Sequence, residues 1–424
     1  MSQQDCFLSR RLERERALGQ FYTNRDIGEF LINQMTGITP AHVLDLGAGE
    51  GSLARAAMQR WSNVQVLTVD LNSKALRYLS GSLGHNDGNR HSHFRVDALS
   101  RKLPELISAK APRPDAAVCN PPFLIPKWRK AFGEIVEEAG FSGCISVLSD
   151  VDAALLFLAQ NLRLLSDDAT LGIILPDSLV SASKYRLFRQ TLLKLYRVHR
   201  VVRLPRRSFR NTDAQAFVAI ISKGSPTTAR IPLQRLSESR NVSLELTVDH
   251  QQAIERLDYA FHSEAIGSKN PAKQCVALGS VSISLTRGSL TSAEAKTVRF
   301  GVVHTTDMDA SRAGRWCDLS EFRGGQRSGL YLLRAQPGDI LLARVGRNLE
   351  HQVLGVAKGE PAITDCVLRL RVPDGIREAV LAQLCSPDGK AWLASRAYGV
   401  SARHIAKQDL LAFPLRLEDA LRAR

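Results

Sequence analysis

No two cysteines of the sequence stand in a Cys-x-x-Cys pair. The seven present, at 6, 119, 144, 275, 317, 366 and 385, are scattered and odd in number, which argues against a disulfide framework and against a zinc site built on paired thiols. Missing too is any uninterrupted apolar run near the roughly 18 residues that a membrane helix needs. The opening residues, Met1 to Asp5 and then Arg10, Arg11, Glu13, Arg14, Glu15 and Arg16, lack the apolar stretch of a secretory signal and read as a charged leading helix. The expectation is a cytoplasmic protein with reduced, packed thiols and no membrane contact. Acidic residues are in deficit, 42 against 57 Lys and Arg, for a net charge of +15, which points to a polyanionic partner, because counterion release from phosphates favours clustered cations. There is no internal repeat, no low-complexity tract, and no convincing Pro-Asp followed by Glu-x-Lys that would signal a fused nuclease. Cleavage, if coupled to this chain, would come from a separate restriction endonuclease.

What remains is 424 residues, 44% of them apolar, too many for one ordinary core and suited to two domains of roughly 200 residues each. From about 41 to 223, short apolar runs alternate with amphipathic stretches: Val43 to Leu46, Val66 to Val69, Ala116 to Cys119, Leu171 to Leu175, and Ala216 to Ile221. Fully apolar runs of this length separated by helical patterns predict an α/β, doubly wound, mostly parallel sheet covered on both faces. The turn formers Lys223-Gly224-Ser225-Pro226-Thr227-Thr228 break the pattern, so domains are expected at 1–225 and 226–424. Beyond them, 275 to 372 reads as short strands and turns and 376 to 411 as helical, an α+β module.

Two motifs carry chemistry. Val43-Leu44-Asp45-Leu46-Gly47-Ala48-Gly49-Glu50-Gly51 is a strand, a glycine turn and the start of a helix, and glycines there let the backbone pass close to a ligand. Asp70 ends the next strand, at a distance suited to ribose hydroxyls. A dinucleotide site is the first rival, but the spacing is Gly-x-Gly-x-Gly, and Asp45 would repel a pyrophosphate while suiting a ligand with a cationic end, such as S-adenosylmethionine. Asp97, closing a third candidate strand, is placed to accept from an adenine amino group or to cap a helix.

The second motif is Asn120-Pro121-Pro122-Phe123 at the end of an apolar strand. An aromatic exocyclic amine is a poor nucleophile because its lone pair is conjugated with the ring. If the Asn120 side-chain oxygen and the Pro121 carbonyl accept its hydrogens, the nitrogen is drawn toward tetrahedral geometry and can attack a sulfonium methyl in line. Phe123 would stack on a base held out of the duplex. Cys119, inside the strand with no activating partner, reads as packing.

In their order, Gly19-Gln20-Phe21-Tyr22-Thr23, the Asp45 to Gly51 turn and Asn120 to Phe123 resemble the γ-class of DNA amino methyltransferases of restriction-modification systems, across roughly 17 to 223. Asn24 departs from the proline common there. The resemblance implies methyl transfer to adenine N6, with Asn120, Pro121, Pro122 and Phe123 at the reaction. It puts Thr23 at the methionine end of the cofactor, Asp70 at its ribose and Asp97 at its adenine, with Asp45, Gly47, Gly49 and Leu71 as further cofactor-binding residues. Phe209 matches the place of a second base-stacking aromatic. Ten Lys or Arg and no acidic residue lie between Lys184 and Arg210, so Arg203, Arg206 and Arg207 are candidate phosphate contacts. Residues 275 to 416 resemble one target-recognition domain of a type I specificity subunit, which makes Arg344, Arg347 and Arg403 candidate DNA contacts and permits a monomer. Two alternatives stay open: an RNA or protein-glutamine amino methyltransferase, and a catalytically idle DNA-specificity protein.

Overall fold

Apolar runs that are buried on both faces set the architecture of the first half. In the computed structural model, residues 25–72, 90–145, 150–209, 212–224, 226, 230–267, 275–281, 283–322, 332–399 and 402–416 are described, and the chain divides into two compact units, Met1–Tyr259 and Ala260–Arg424. The first is built on a nine-stranded sheet: β1 (His42–Leu46), β2 (Gln65–Val69), β3 (His91–Phe94), β4 (Ala116–Cys119), β5 (Thr170–Pro176), β6 (Arg197–Arg203), β7 (Ala216–Ser222), β8 (Ile231–Arg235) and β9 (Leu246–Val248). Their spatial order is β3-β2-β1-β4-β5-β7-β6-β8-β9. Strands β1 to β5 pair in parallel, and β7 runs antiparallel between β5 and β6. Every residue of β4 and β5 is buried, as expected for strands covered on both sides.

Chain order reverses between β1, which leads outward to β2 and β3, and its other neighbour β4. Such a switch point leaves a crevice outside the carboxyl ends of the two strands, where open α/β sheets take their ligands. The residues that follow β1 and β4 are the glycine turn and Asn120 to Phe123.

The expected break at 225/226 is corrected. The chain bends at Lys223-Gly224, and residues 225 and 227–229 of the expected break fall outside the described residues, but β8 returns to pair in parallel with β6, and β9 closes on β8. Helix His250–Glu255 follows, opened by a capping box between Asp249 and Gln252. The fully buried Arg189 binds that segment to the helix Arg186–Leu195 by donating to the carbonyls of Ile254 and Glu255, and Leu257 N–H bonds the Val180 carbonyl. The first unit therefore runs on to Tyr259.

The second unit carries a five-stranded sheet in the order Ser284–Arg287, Val367–Arg371, Ile340–Ala343, Val353–Lys358, Trp316–Asp318, antiparallel but for the last pair. Helices Arg377–Cys385 and Pro387–Arg396 pack Val380, Leu384 and Trp392 against Ile340, Leu342, Leu368 and Leu370. The turn before Ile340 is held by the buried Asp339, which accepts from Gln336 N–H and pairs with Arg371 at 2.7 Å. No helix among the described residues is long and apolar enough to cross a membrane.

Candidate active site

Backbone geometry shapes the glycine turn. Gly47 takes φ 78° and Gly49 φ 57°, the left-handed region that side chains disfavour. The Gly47 and Ala48 N–H groups bond the Val69 carbonyl at 2.8 and 3.1 Å, which ties the turn to the end of β2. A Cβ on Gly47 would lie 2.9 Å from the Phe157 ring, so the helix Ala153–Leu164 presses directly on this turn.

Asp70 closes the other side. One of its carboxylate oxygens accepts from Gly49 N–H and the other from Asn72 N–H, each at 2.9 Å. Each oxygen has a second acceptor position left for a ligand hydroxyl. Leu71 beside it is 66% exposed, an apolar side chain standing open at the strand ends.

Asp45 differs from the sequence reading. Its side chain is 1% exposed and accepts from Ala54 N–H at 3.0 Å, in the first turn of the helix Ser52–Arg60 that follows the glycines. The carboxylate holds a helix N-terminus from within the protein. Burial raises its pKa to about 7, opposed by the Ala54 hydrogen bond and reinforced by Asp70.

Asp97 lies three residues beyond β3, in a turn and not at a strand end. One oxygen accepts from Leu99 N–H at 2.9 Å and the other pairs with Arg129 at 2.7 Å. Sequence reasoning passed over Arg129; its signal was the basic and aromatic cluster Lys127-Trp128-Arg129-Lys130, nine residues past Asn120. The pair ties the turn after β3 to the segment leaving β4.

Asn120 is half-buried where β4 ends, followed by the buried Pro121 and the half-buried Pro122. Residues Val43 to Asp45 of β1 lie in register with Ala116 to Val118 of β4, so two motifs some seventy residues apart in sequence leave the sheet side by side. Cys119 donates to the Leu46 carbonyl at 3.2 Å, and burial pushes its thiol well above the ordinary range, which leaves it neutral and unreactive. Phe123, 9% exposed, meets Phe209, 2% exposed, edge to face at 6.3 Å between ring centroids and 77° between planes. Phe209 sits in the β6–β7 connection, held by Ser208 Oγ donating to the Pro205 carbonyl and Gln215 donating to that of Leu204. Because β7 starts opposite the end of β5, this connection lies on the same sheet edge as the glycine turn and Asn120.

Several predicted site residues stand elsewhere. Thr23 falls outside the described residues. Arg203 is no surface cation: its guanidinium pairs with Asp258 at 2.5 Å, with side chains 16% and 3% exposed, and lies 5.7 Å over the Phe217 ring. Burial works against its charge, but Asp258 and Asp177 prevail and hold its pKa above the ordinary value. Arg403 is likewise internal, paired with Glu350 and bonded to the Ala394 carbonyl. Of the others, Arg207 is exposed and pairs loosely with Asp213, Arg206 is half-buried, Arg344 donates to the Asp365 carbonyl, and Arg347 is exposed.

The N-6 DNA Methylase family matches residues 6–278. Among curated relatives, the tRNA1(Val) (adenine(37)-N6)-methyltransferase of Vibrio parahaemolyticus is 33% identical over 86 residues, 20% of this chain and 34% of that protein. The type II methyltransferase M.BsuBI of Bacillus subtilis is 28% identical over 198 residues, 43% of this chain and 38% of that protein. The chain thus spans between 25% and 50% of the length of the curated relatives it matches. Among solved structures, the type IIG restriction endonuclease BpuSI superposes with a TM-score of 0.52 at 12% identity, over 95% of this chain and 60% of that one, a likeness of fold.

Proposed function

The chain belongs to the N-6 DNA methylase family, and from that premise we propose that it transfers a methyl group from S-adenosylmethionine to the N6 amino group of an adenine turned out of duplex DNA. One observation carries the reading: β1 and β4 are adjacent and parallel, so the glycine turn and Asn120 to Phe123 emerge together where the strand order reverses.

The residues suit the cofactor. Gly47 and Gly49 open a close backbone approach, Asp70 offers acceptor positions for ribose hydroxyls, Leu71 an apolar surface, and Asp97 an acceptor for the adenine amino group. The buried Asp45 favours a ligand with a cationic end. Bound there, S-adenosylmethionine supplies an electrophilic methyl carbon. The chain's own task is to prepare the amine. The Asn120 amide oxygen and the Pro121 carbonyl accept its two hydrogens and free the lone pair from the ring, which lowers the barrier by positioning and by stabilising developing positive charge. Phe123 and Phe209 are the aromatic pair against which the everted base would stack.

We assign sequence selection to the second unit, with Arg344, Arg347 and the exposed Arg207 of the first unit as contacts to DNA. A cognate nuclease would be a separate polypeptide, and the active species a monomer in the cytoplasm. The test is transfer of tritiated methyl groups to duplex DNA and, in parallel, to transfer RNA, by the intact chain and by Asn120→Ala. Label is expected in DNA, at N6 of adenine, and its transfer is expected to be lost in the variant while S-adenosylhomocysteine still binds. Full activity of Asn120→Ala, or label in RNA alone, would overturn the assignment.

A further inference from the structure

Helix Ala153–Leu164 has every residue buried except Arg163, and most are Ala, Leu or Phe. Within this apolar run stand two adjacent amides, Gln160 and Asn161, both 0% exposed. Gln160 Nε2 donates to the carbonyls of Ala98 and Ser100 at 3.0 and 2.9 Å, while its Oε1 has no hydrogen-bond partner among the described residues. A leucine would fill this space without stranding a buried oxygen, so the amide's presence calls for a reason. Its two acceptors flank Leu99, whose N–H is held by Asp97 Oδ1, and Ser100 N–H bonds the Asp97 carbonyl at 2.9 Å. Gln160 thereby locks the turn that presents Asp97. Phe157, one turn earlier on the same helix, packs against Gly47. The glycine turn after β1 and the Asp97 turn after β3 are thus both set from one rigid element.

We propose that Gln160 is a positioning residue that fixes Asp97 at the spacing from the glycine turn that an adenosyl group requires, and so sets recognition of the adenine amino group. The inference rests on the reading of Asp97 given above. The experiment uses the full chain without DNA and measures calorimetrically the binding of S-adenosylhomocysteine and of its inosine counterpart, which has a carbonyl where the amine was. The wild-type chain is expected to prefer the adenosine form about tenfold, the worth of one such hydrogen bond. Gln160→Leu keeps the volume and removes the donors; the preference should fall toward unity and the affinity for S-adenosylhomocysteine about tenfold, while affinity for the inosine form changes little. Should that variant not fold, Gln160→Glu, which keeps the shape and loses at least one of the two donors, carries the same comparison. Asp97→Ala separates the two ideas. If it abolishes the preference and the Gln160 variants retain it, the positioning role is wrong and Asp97 stands. If Asp97→Ala retains the preference, the adenine reading fails and the role of Gln160 fails with it.

Discussion

Removing the Arg203–Asp258 pair tests whether the basic run before Phe209 serves the interior or the DNA. The two side chains, 16% and 3% exposed and 2.5 Å apart, have exchanged water for each other. Asp258→Ala leaves the Arg203 charge buried beside an apolar ring, and breaking one half of such a pair costs about 3–5 kcal/mol. For a unit of this size each kcal/mol moves the melting temperature by about 2–4 °C, so a fall of roughly 6–20 °C is expected, from either Asp258→Ala or Arg203→Ala. The first unit's transition would be followed by circular dichroism in urea and on heating. Alongside it, the salt dependence of duplex binding should keep its slope in Arg203→Ala, at temperatures where the variant is folded. A phosphate contact behaves in the opposite way: stability unchanged, and a log–log slope shallower by about one. That result would refute the structural assignment.

The buried Asp45 makes stability depend on pH. Its folded pKa is raised to about 7, against about 3.9 in an unfolded chain. The folded state holds the extra proton between these values, so the contribution is fully present below about pH 4 and lost as pH rises to about 7, by about 4 kcal/mol in all. Asp45→Asn should lose less stability than the wild type between pH 5 and pH 8 in urea denaturation; parallel profiles would contradict the argument. Gly47→Ala combines a left-handed backbone with a Cβ 2.9 Å from Phe157. It should lower the melting temperature and weaken S-adenosylhomocysteine binding at least tenfold by calorimetry, and unchanged binding would show that the turn is not the ligand's cradle.

The parts of the fold written in local backbone chemistry were legible in the sequence. Apolar runs gave β1, β2, β4, β5 and β7, and the glycine turn and Asn120 to Phe123 stand at strand ends, as expected. Strand β6 was missed because Arg197, His199, Arg200 and Arg203 break its apolar pattern, with a register shift between Val198 and Arg200. The same charges, read as a DNA-facing run, gave no hint that Arg203 finds Asp258 at a separation of 55 residues and Arg403 finds Glu350 at 53. Partner identity over such distances is a property of the folded chain. Gln160 was invisible for a related reason: an amide within an apolar helix has no periodic signature, and its use appears only once Ala98 and Ser100 lie against it.

The return of β8 to β6 dictates how the protein can be cut. A chain stopped at 225 would expose the outer edge of β6 as a row of unsatisfied backbone groups, an invitation to pair with another copy, and would strip Arg203 of Asp258 and Arg189 of the Ile254 and Glu255 carbonyls. Excision of a free-standing catalytic half should therefore retain everything to Tyr259. A hybrid carrying a different second unit should accordingly be joined after Tyr259 and not within the turn formers at 223–228.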